Sequence, residues 1–396
     1  MKKILIVTEY FYPNDNSTSY YITNIAKKLA KKNHVKVICN TELFNNEELK
    51  INNLEIQRLR ENKLSKNNII TRILKFVISS LKLSFLTYKN LKINNDIFAV
   101  TNPAFIIILL ALLKKIRNFN YSLLIYDVFP ENLIATKIIK NNKSILYKIF
   151  KTIFDWSYLQ ADKLIVIGRD MEEIIREKTN YKIPTVLIEN WCNYNEITPY
   201  LKKSNLILKK LNIVEKKVFL FAGNFGRVQG INNLLESIDF VKNDNFILLF
   251  IGDGAMKGLI EKKVLNTKKN NIIYAGFFPQ EEQNIFLNAC DIAVVSLGSS
   301  MYGLGVPSKS YFNMAAAKPI LYIGDKNSEI ARTVIENDIG WVVENEKPLL
   351  LAELFDKICD ENSNLEEFGK RARELVKSKY SEEVILKKYA NLYMDY

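Results

Sequence analysis

Histidine is nearly absent. His34 is the single one in 396 residues, which removes Ser-His-Asp, Cys-His and two-histidine metal chemistry and leaves carboxylates, lysine or a metal held without imidazole. The four cysteines (Cys39, Cys192, Cys290, Cys359) lie far apart, with no pair at redox or metal-ligand spacing, so free thiols in a reducing cytoplasm are expected and zinc is not. With 14 Gly and 9 Pro the chain is neither collagen-like nor low-complexity. Long apolar runs are also missing: Ala104 to Leu113 is about half a bilayer span, and the run Ile4 to Val7 gives way to Thr8-Glu9, reading as a buried strand and not a signal peptide. A soluble or peripheral protein is expected. Acidic residues are too few to balance the basic ones, 43 against 56, and the resulting charge of +13 predicts an anionic partner.

What is present is a repeated strand-loop-helix order. Ile4 to Val7, a turn at Pro13-Asn14-Asp15-Asn16, apolar Ile22, Ile25, Ala26 and Leu29 on a helix, and Val35 to Ile38 open it. Strands at Asp96 to Thr101, Leu123 to Tyr126 and Leu164 to Ile167 follow, separated by helices over 69 to 92, 104 to 116, 143 to 158 and 169 to 178. Short, wholly apolar strands between amphipathic helices predict an α/β fold with a parallel sheet covered on both faces. A polar stretch near 195 to 215 precedes a second such unit, with strands at Lys217 to Phe221, Phe246 to Ile251, Ile272 to Tyr274, Ile292 to Val295 and Pro319 to Ile323. The expected organisation is two tandem Rossmann-like parallel-sheet domains, 1–200 and 201–380, facing a cleft, with 381–396 a helix packing back on the first.

Two loops carry the clearest chemistry. Phe221-Ala222-Gly223-Asn224-Phe225-Gly226-Arg227-Val228-Gln229-Gly230 joins a strand to a helix, where glycines let backbone N–H groups approach a phosphate and Arg227 adds a bidentate cation. A Gly-rich structural turn is the alternative. Gly303-Leu304-Gly305-Val306-Pro307-Ser308-Lys309 leads into a helix, where Lys309 reads either as an anion ligand or as a solvated lysine at a helix cap.

Taken together with the opening segment, these motifs resemble a family-four glycosyltransferase of the GT-B fold. Asp127-Val128-Phe129-Pro130-Glu131 is similar to the Asp-Leu-Trp-Pro-Glu segment of a bacterial subgroup that builds capsule, O-antigen and exopolysaccharide units. Gly223-Asn224-Phe225-Gly226-Arg227, Gly252-Asp253-Gly254, Val306-Pro307-Ser308-Lys309 and Ser328-Glu329-Ile330-Ala331 have counterparts there in the same order. The resemblance implies retaining, metal-independent transfer of a sugar from a nucleotide diphosphate, UDP by expectation, with no cofactor. It places the donor on the second domain, its pyrophosphate held by Arg227, Lys309 and backbone N–H groups of Gly226 and Ser308. Gly223, Asn224, Gly252, Gly254 and Pro307 belong to the same donor loops, with Ser328 and Glu329 near the donor sugar and Phe277-Phe278 near the uracil edge. In the first domain Asp127 or Glu131 is the carboxylate expected near the sugar, unless either serves as a helix N-cap. Asn16, Ser17 and Thr18 form a candidate phosphate or acceptor loop. First-turn placement gives Glu329 a helix-dipole alternative, and strand-end packing is the alternative for the Phe pair. The sequence departs from the family at Leu304 and Phe312, where a Glu pair is usual, at Asn224 and Gln229, where Arg and Lys are usual, and at Ala317, where Gly is.

Between Lys63 and Asn95 there is no acidic residue, while Arg72, Lys75, Lys82, Lys89 and Lys92 interleave with Ile73, Leu74, Phe76, Val77, Leu81 and Phe85. Ile106 to Leu113, followed by Lys114, Lys115 and Arg117, is a second such stretch. Either these are buried helices with wet lysines, or they meet anionic lipid at the inner face of the plasma membrane, where a lipid-linked sugar acceptor would reside. Rival readings are a sugar-nucleotide 2-epimerase of the same fold, disfavoured by the lone His34, and a non-catalytic sugar-nucleotide binder. A nucleic-acid binder rests only on the charge, and no RNA or DNA module is present.

Overall fold

The computed structural model describes residues 1–14, 16–41, 49–59, 69–91, 95–360 and 364–393. Asp15, Lys63 and Lys92, and the side chain of Arg72, lie outside that description. Two compact units form, one from Met1–Glu189, Gly303–Gly305 and Ile385–Tyr396, the other from Asn190–Tyr302 and Val306–Val384.

The first domain holds strands β1 (Lys3–Val7), β2 (His34–Cys39), β3 (Leu54–Arg58), β4 (Asn95–Val100), β5 (Asn120–Ile125), β6 (Lys163–Val166) and β7 (Thr185–Leu187). They run parallel in the order β3-β2-β1-β4-β5-β6-β7. Helices α1 (Ser17–Ala30), α2 (Ile69–Asn90), α3 (Ile106–Ile116), α4 (Glu131–Ala135), α5 (Ile145–Tyr158) and α6 (Arg169–Lys178) join them. Asn16 starts α1 by accepting the Ser19 N–H at 2.8 Å, and Ser144 starts α5 by accepting that of Tyr147 at 3.2 Å. Each cap satisfies an end donor that the helix itself cannot. Ile4 to Val7 are buried throughout because helices cover both faces of β1.

The second domain is the parallel sheet β10-β9-β8-β11-β12-β13. Its strands are β8 (Lys217–Asn224), β9 (Phe246–Asp253), β10 (Ile272–Tyr274), β11 (Ile292–Ser296), β12 (Ile320–Ile323) and β13 (Gly340–Val343). In both sheets the chain reverses its direction of strand addition once, at β1/β4 and at β8/β11. Ligands of such folds bind outside the carboxyl ends of the strands at that reversal.

β8 runs three residues beyond the expected Phe221, so Gly223 and Asn224 pair in register with Gly252 and Asp253 of β9. The extension is possible because both strands carry glycine there. A Cβ on Gly252, whose φ is 142°, would lie 1.9 Å from the Gly223 carbonyl oxygen.

The division between units falls after Glu189, ahead of the expected 200, because the following stretch is tied to the second domain. The Arg373 guanidinium donates to the carbonyls of Ile197 (2.8 Å), Tyr194 (3.4 Å) and Ala315, and the Cys192 thiol donates to Tyr311 O. At the other end of the chain, Tyr389 and Tyr393 pack edge-on against Phe98 of β4, and Lys388 pairs with buried Glu189 at 2.6 Å.

The second core is unusually aromatic on one face: the rings of Phe219, Phe246 and Phe355 lie with centroids 4.7 to 5.3 Å apart, all fully buried. Phe355→Ala should therefore lower the unfolding free energy by about 3–5 kcal/mol, measured by urea denaturation. A loss below about 1 kcal/mol would show that this ring cluster does not hold the domain.

Candidate functional site

The loop after β8 is anchored by Phe225, whose buried ring packs against Phe221, Phe250 and Tyr274 at centroid distances of 5.8 to 6.0 Å. Its N–H donates to Asp253 O (2.8 Å) and its carbonyl accepts from Met256 N–H (2.9 Å), so the β8 and β9 loops are pinned to each other. Gln229 N–H closes a turn onto Gly226 O, and Gly298 N–H, just past β11, reaches across the reversal to Val228 O at 2.8 Å. Gly230 then takes a left-handed φ of 63° before the helix Ile231–Ser237. A Cβ there would sit 3.0 Å from Ser296 Oγ and 3.2 Å from Asn345 Oδ1. Among the expected donor residues, Gly223, Asn224, Gly252 and Gly254 meet in this cradle: a Cβ on Gly254 would come within 2.6 Å of Asn224 Oδ1. Arg227 stands exposed on the loop.

Lys309 begins the helix Lys309–Ala315, and Pro307 and Ser308 form the turn into it through Ser310 N–H to Pro307 O and Tyr311 N–H to Ser308 O, both 3.1 Å. The Lys309 stem is half-exposed, but its Nζ is shut off from solvent and has no hydrogen-bond acceptor. The ammonium instead sits 3.7 Å above the ring of Phe221 in β8. Burial alone drives its pKa down to about 7. Gln229 Oε1 on the loop after β8, both amide atoms of Asn233 in the helix that follows it, and Ser296 Oγ at the end of β11 are also buried without partners. Orphaned polar atoms are rare in folded proteins and costly, about 1–3 kcal/mol each, so these, on elements that border the strand-end reversal, single it out as the candidate site for a polar guest.

The remaining expected residues divide. Phe277 is 70% exposed, whereas Phe278 packs against Phe286 in the core at 6.4 Å. The Ser328 hydroxyl donates to Asp325 O at 2.7 Å and lies 2.9 Å from the Tyr322 hydroxyl, and Glu329 is buried and accepts the Thr333 hydroxyl at 3.2 Å. Asn16 is occupied as the α1 cap and donates to Asn14 Oδ1 at 2.6 Å; Ser17 is exposed and Thr18 half-buried. His34 opens β2 with its side chain exposed. Leu304 is buried, and Phe312 packs on the apolar cluster around Tyr311 and Ala315.

In the first domain Asp127 follows β5. Burial raises the pKa of its carboxyl, while donors from Asn132 and Asn102 pull it back; the Asn132 Nδ2 contact is 2.7 Å. Glu131 has a different environment. Buried Lys178 grips its two oxygens at 2.8 and 2.9 Å, Tyr147 Oη donates at 3.2 Å, and Lys151 lies 3.6 Å away. Neither acid caps α4, which has no side-chain cap. Sequence reading passed over Lys178, which looks like an ordinary cation in the last turn of α6. It also passed over Ser296 and Gly298, although a polar residue and a glycine at a strand end are a readable signal.

α2 is inverted. Its inward positions Ser79, Ser80, Leu83 and Thr87 are buried, with the Ser80 and Thr87 hydroxyls spent on Phe76 O and Leu83 O at 2.8 Å. Its large apolar residues Ile73, Leu74, Leu81, Phe85 and Tyr88 are exposed, Phe85 by 57%. α2 packs beside α3, and α3 beside α5, and these add Leu112, Ile116, Ile145, Leu146 and Ile149, also exposed. Lys89 Nζ lies 4.5 Å over Phe85, and Arg117 stacks on and donates to Tyr88. No helix among the described residues is long and apolar enough to cross a membrane.

Residues 203–375 match the family model for glycosyl transferases group 1. The chain is 36% identical over 391 residues to WbjE of Pseudomonas aeruginosa, described as a probable glycosyltransferase, covering 98% of this chain and 97% of that one. In fold it is similar to Anabaena HepE, solved in complex with UDP (TM-score 0.69, 12% identity, 99% of each chain). It is also similar in fold to WaaG, a glycosyltransferase involved in lipopolysaccharide biosynthesis (TM-score 0.69, 12% identity, 99% of this chain and 100% of that one). Two parallel-sheet Rossmann-like domains and near-full-length identity to WbjE lead to one conclusion: the chain belongs to the group 1, family-four-like glycosyltransferases of the GT-B fold.

Proposed function

We propose that this protein transfers a sugar from a UDP-sugar, with retention and without a metal, to a lipid-linked acceptor at the cytoplasmic face of the inner membrane, in surface-polysaccharide assembly. Nucleic acid is not its partner in this reading. The observation that carries it is the Lys309 ammonium, buried without an acceptor beside the glycine cradle of β8 and β9. A diphosphate supplies the missing acceptor, and positive charge fixed at the leaving phosphate is worth most as that phosphate gains charge in the transition state. Arg227 is the second cation, exposed on the loop that follows β8. HepE's complex with UDP and WaaG's role in lipopolysaccharide biosynthesis support the nucleotide and the biosynthetic setting.

The inverted α2 face supports the membrane part. Large apolar side chains pointing outward on three neighbouring helices, interleaved with Lys and Arg, are complementary to an anionic lipid surface: the apolar groups enter the acyl boundary while the cations stay at the headgroups.

The pH dependence follows from Lys309. In the free protein its pKa is about 7, and pairing with a diphosphate raises it, so binding above pH 7 takes up a proton. UDP affinity is accordingly level below pH 7 and falls as pH rises above it. Calorimetry in buffers of different ionisation heat should show close to one proton taken up per UDP at pH 8 and little at pH 6, and Lys309→Met should abolish the uptake and weaken UDP binding roughly 10- to 100-fold. Unchanged uptake in Lys309→Met contradicts the assignment. Turnover should survive EDTA; loss restored by Mg²⁺ would rule out the metal-free reaction. The triple variant Phe85→Ser, Ile116→Ser, Ile145→Ser should bind phosphatidylglycerol-rich vesicles at low salt at least roughly tenfold more weakly, by co-sedimentation. Indifference of the unsubstituted protein to such vesicles would remove the membrane part.

A further inference from the structure

Lysines at a protein surface lay the carbon stem on apolar ground and keep the ammonium in water. Lys309 does the reverse: the residue is partly exposed, yet its Nζ is closed off from solvent and lies 3.7 Å above the centre of the Phe221 ring. We propose that Phe221 is a positioning residue for donor binding: its face is the seat on which the Lys309 ammonium waits, and from which the ammonium moves to the diphosphate. The ring thereby competes with the donor for the cation and sets how tightly the donor is held. The inference rests on the diphosphate reading of Lys309 and deepens it. No covalent bond is made or broken in the step; one ammonium exchanges a ring face for phosphate oxygens.

Around this contact the lysine side chain is the part able to move. Phe221 lies inside β8, paired in register with Phe250 of β9, and is fully buried. Phe250 and Phe225 hold its ring from the side, with centroids 5.7 and 6.0 Å away. The backbone that carries Lys309 is equally constrained: the turn through Pro307 and Ser308 closes with two hydrogen bonds of 3.1 Å, and Tyr311, Met314 and Ala315 of the same helix are buried in the core. The neighbouring loops are pinned by Phe225 N–H to Asp253 O and by Gly298 N–H to Val228 O, both 2.8 Å. A diphosphate is larger than the water already shut out from Nζ, so cation and anion meet when the flexible four-carbon stem brings the ammonium out. The ring suits a temporary hold. Its face attracts the cation but offers no acceptor atom, so the three N–H donors stay unmatched until phosphate oxygens take them in charge-assisted bonds. No charged neighbour acts on the titration of Lys309, which burial alone displaces. Phe221 therefore has no rival for the ammonium within the site.

Replacing Phe221 by a ring-trifluorinated phenylalanine tests this, because fluorine largely keeps the shape of the ring while removing most of the attraction of its face. UDP binding is measured by calorimetry at pH 6 and pH 8, each value set against the unsubstituted protein at the same pH. A weaker seat destabilises the charged lysine in the protein without UDP and leaves the UDP complex untouched. The lysine's pKa without UDP should therefore fall by about one pH unit. UDP should bind about fivefold more tightly at pH 6, where the seated lysine carries its charge, and change by less than about 1.2-fold at pH 8, where it does not. An ammonium that stays on the ring while it binds phosphate gives the opposite sign, a loss of about tenfold at pH 8. That loss overturns the proposal, and so does an affinity unchanged at both pH values, the mark of a ring that only fills space. In the Lys309→Met protein the same fluorination should leave UDP affinity as it was; an equal change there shows that the ring acts through packing and also overturns the proposal. If Lys309→Met binds UDP as well as the unsubstituted protein does, the diphosphate reading fails and takes the seat's role with it. Weakened binding in Lys309→Met with no effect of fluorine sinks the proposal alone.

Discussion

A single ammonium buried against a phenyl ring organises the second domain's carboxyl edge. Lys309 Nζ has no acceptor and no solvent, and its pKa falls from 10.5 to about 7. That drop amounts to roughly 5 kcal/mol of disfavoured charge, while the Phe221 face returns only about 2 kcal/mol. The protein tolerates this imbalance at the strand-end reversal, where the flanking loops are also left with unmatched polar atoms. An anion entering there would gain what the site lacks. The glycines serve the scaffold beneath it: a Cβ at Gly252 would strike the Gly223 carbonyl at 1.9 Å and one at Gly254 would strike Phe225 N at 2.7 Å, so side chains there would force the β8 and β9 loops apart.

Around that ammonium the architecture is economical. Pairing of Gly223 and Asn224 with Gly252 and Asp253 carries β8 and β9 out to the loops, Phe225 locks those loops into the aromatic core, and the Val228–Gly298 contact spans the reversal between β8 and β11. The first domain repeats the plan with different chemistry. Its strand-end loop after β5 offers a carboxylate aligned by amides, backed by an ion-pair network that ties three helices.

Much of this was legible in the sequence. The buried strands announced themselves as unbroken apolar runs, and helix α6 matched its expected bounds from apolar spacing alone. What escaped has physical reasons. β3, β7 and β13 are short or only half-buried strands near sheet edges, so Leu54–Arg58 and Thr185–Leu187 show no apolar run to detect. β8 ends on glycine and asparagine, residues that read as loop until their pairing with β9 is seen. The α2 pattern was visible as basic and apolar residues interleaved, but which face pointed inward was not, because Ser80 and Thr87 hide their hydroxyls in the helix's own carbonyls. Glu131 and Asp127 looked equivalent in sequence; only tertiary neighbours from α5 and α6 distinguish them.

The account stands or falls on what Lys309 does when a diphosphate arrives. The direct measurement is an NMR titration of the Lys309 side chain, selectively labelled, in the free protein and with saturating UDP. The account predicts a pKa near 7 when free and a return to 10 or above with UDP bound. A free-state value already at the ordinary lysine position, or a low value that UDP leaves unchanged, would contradict it.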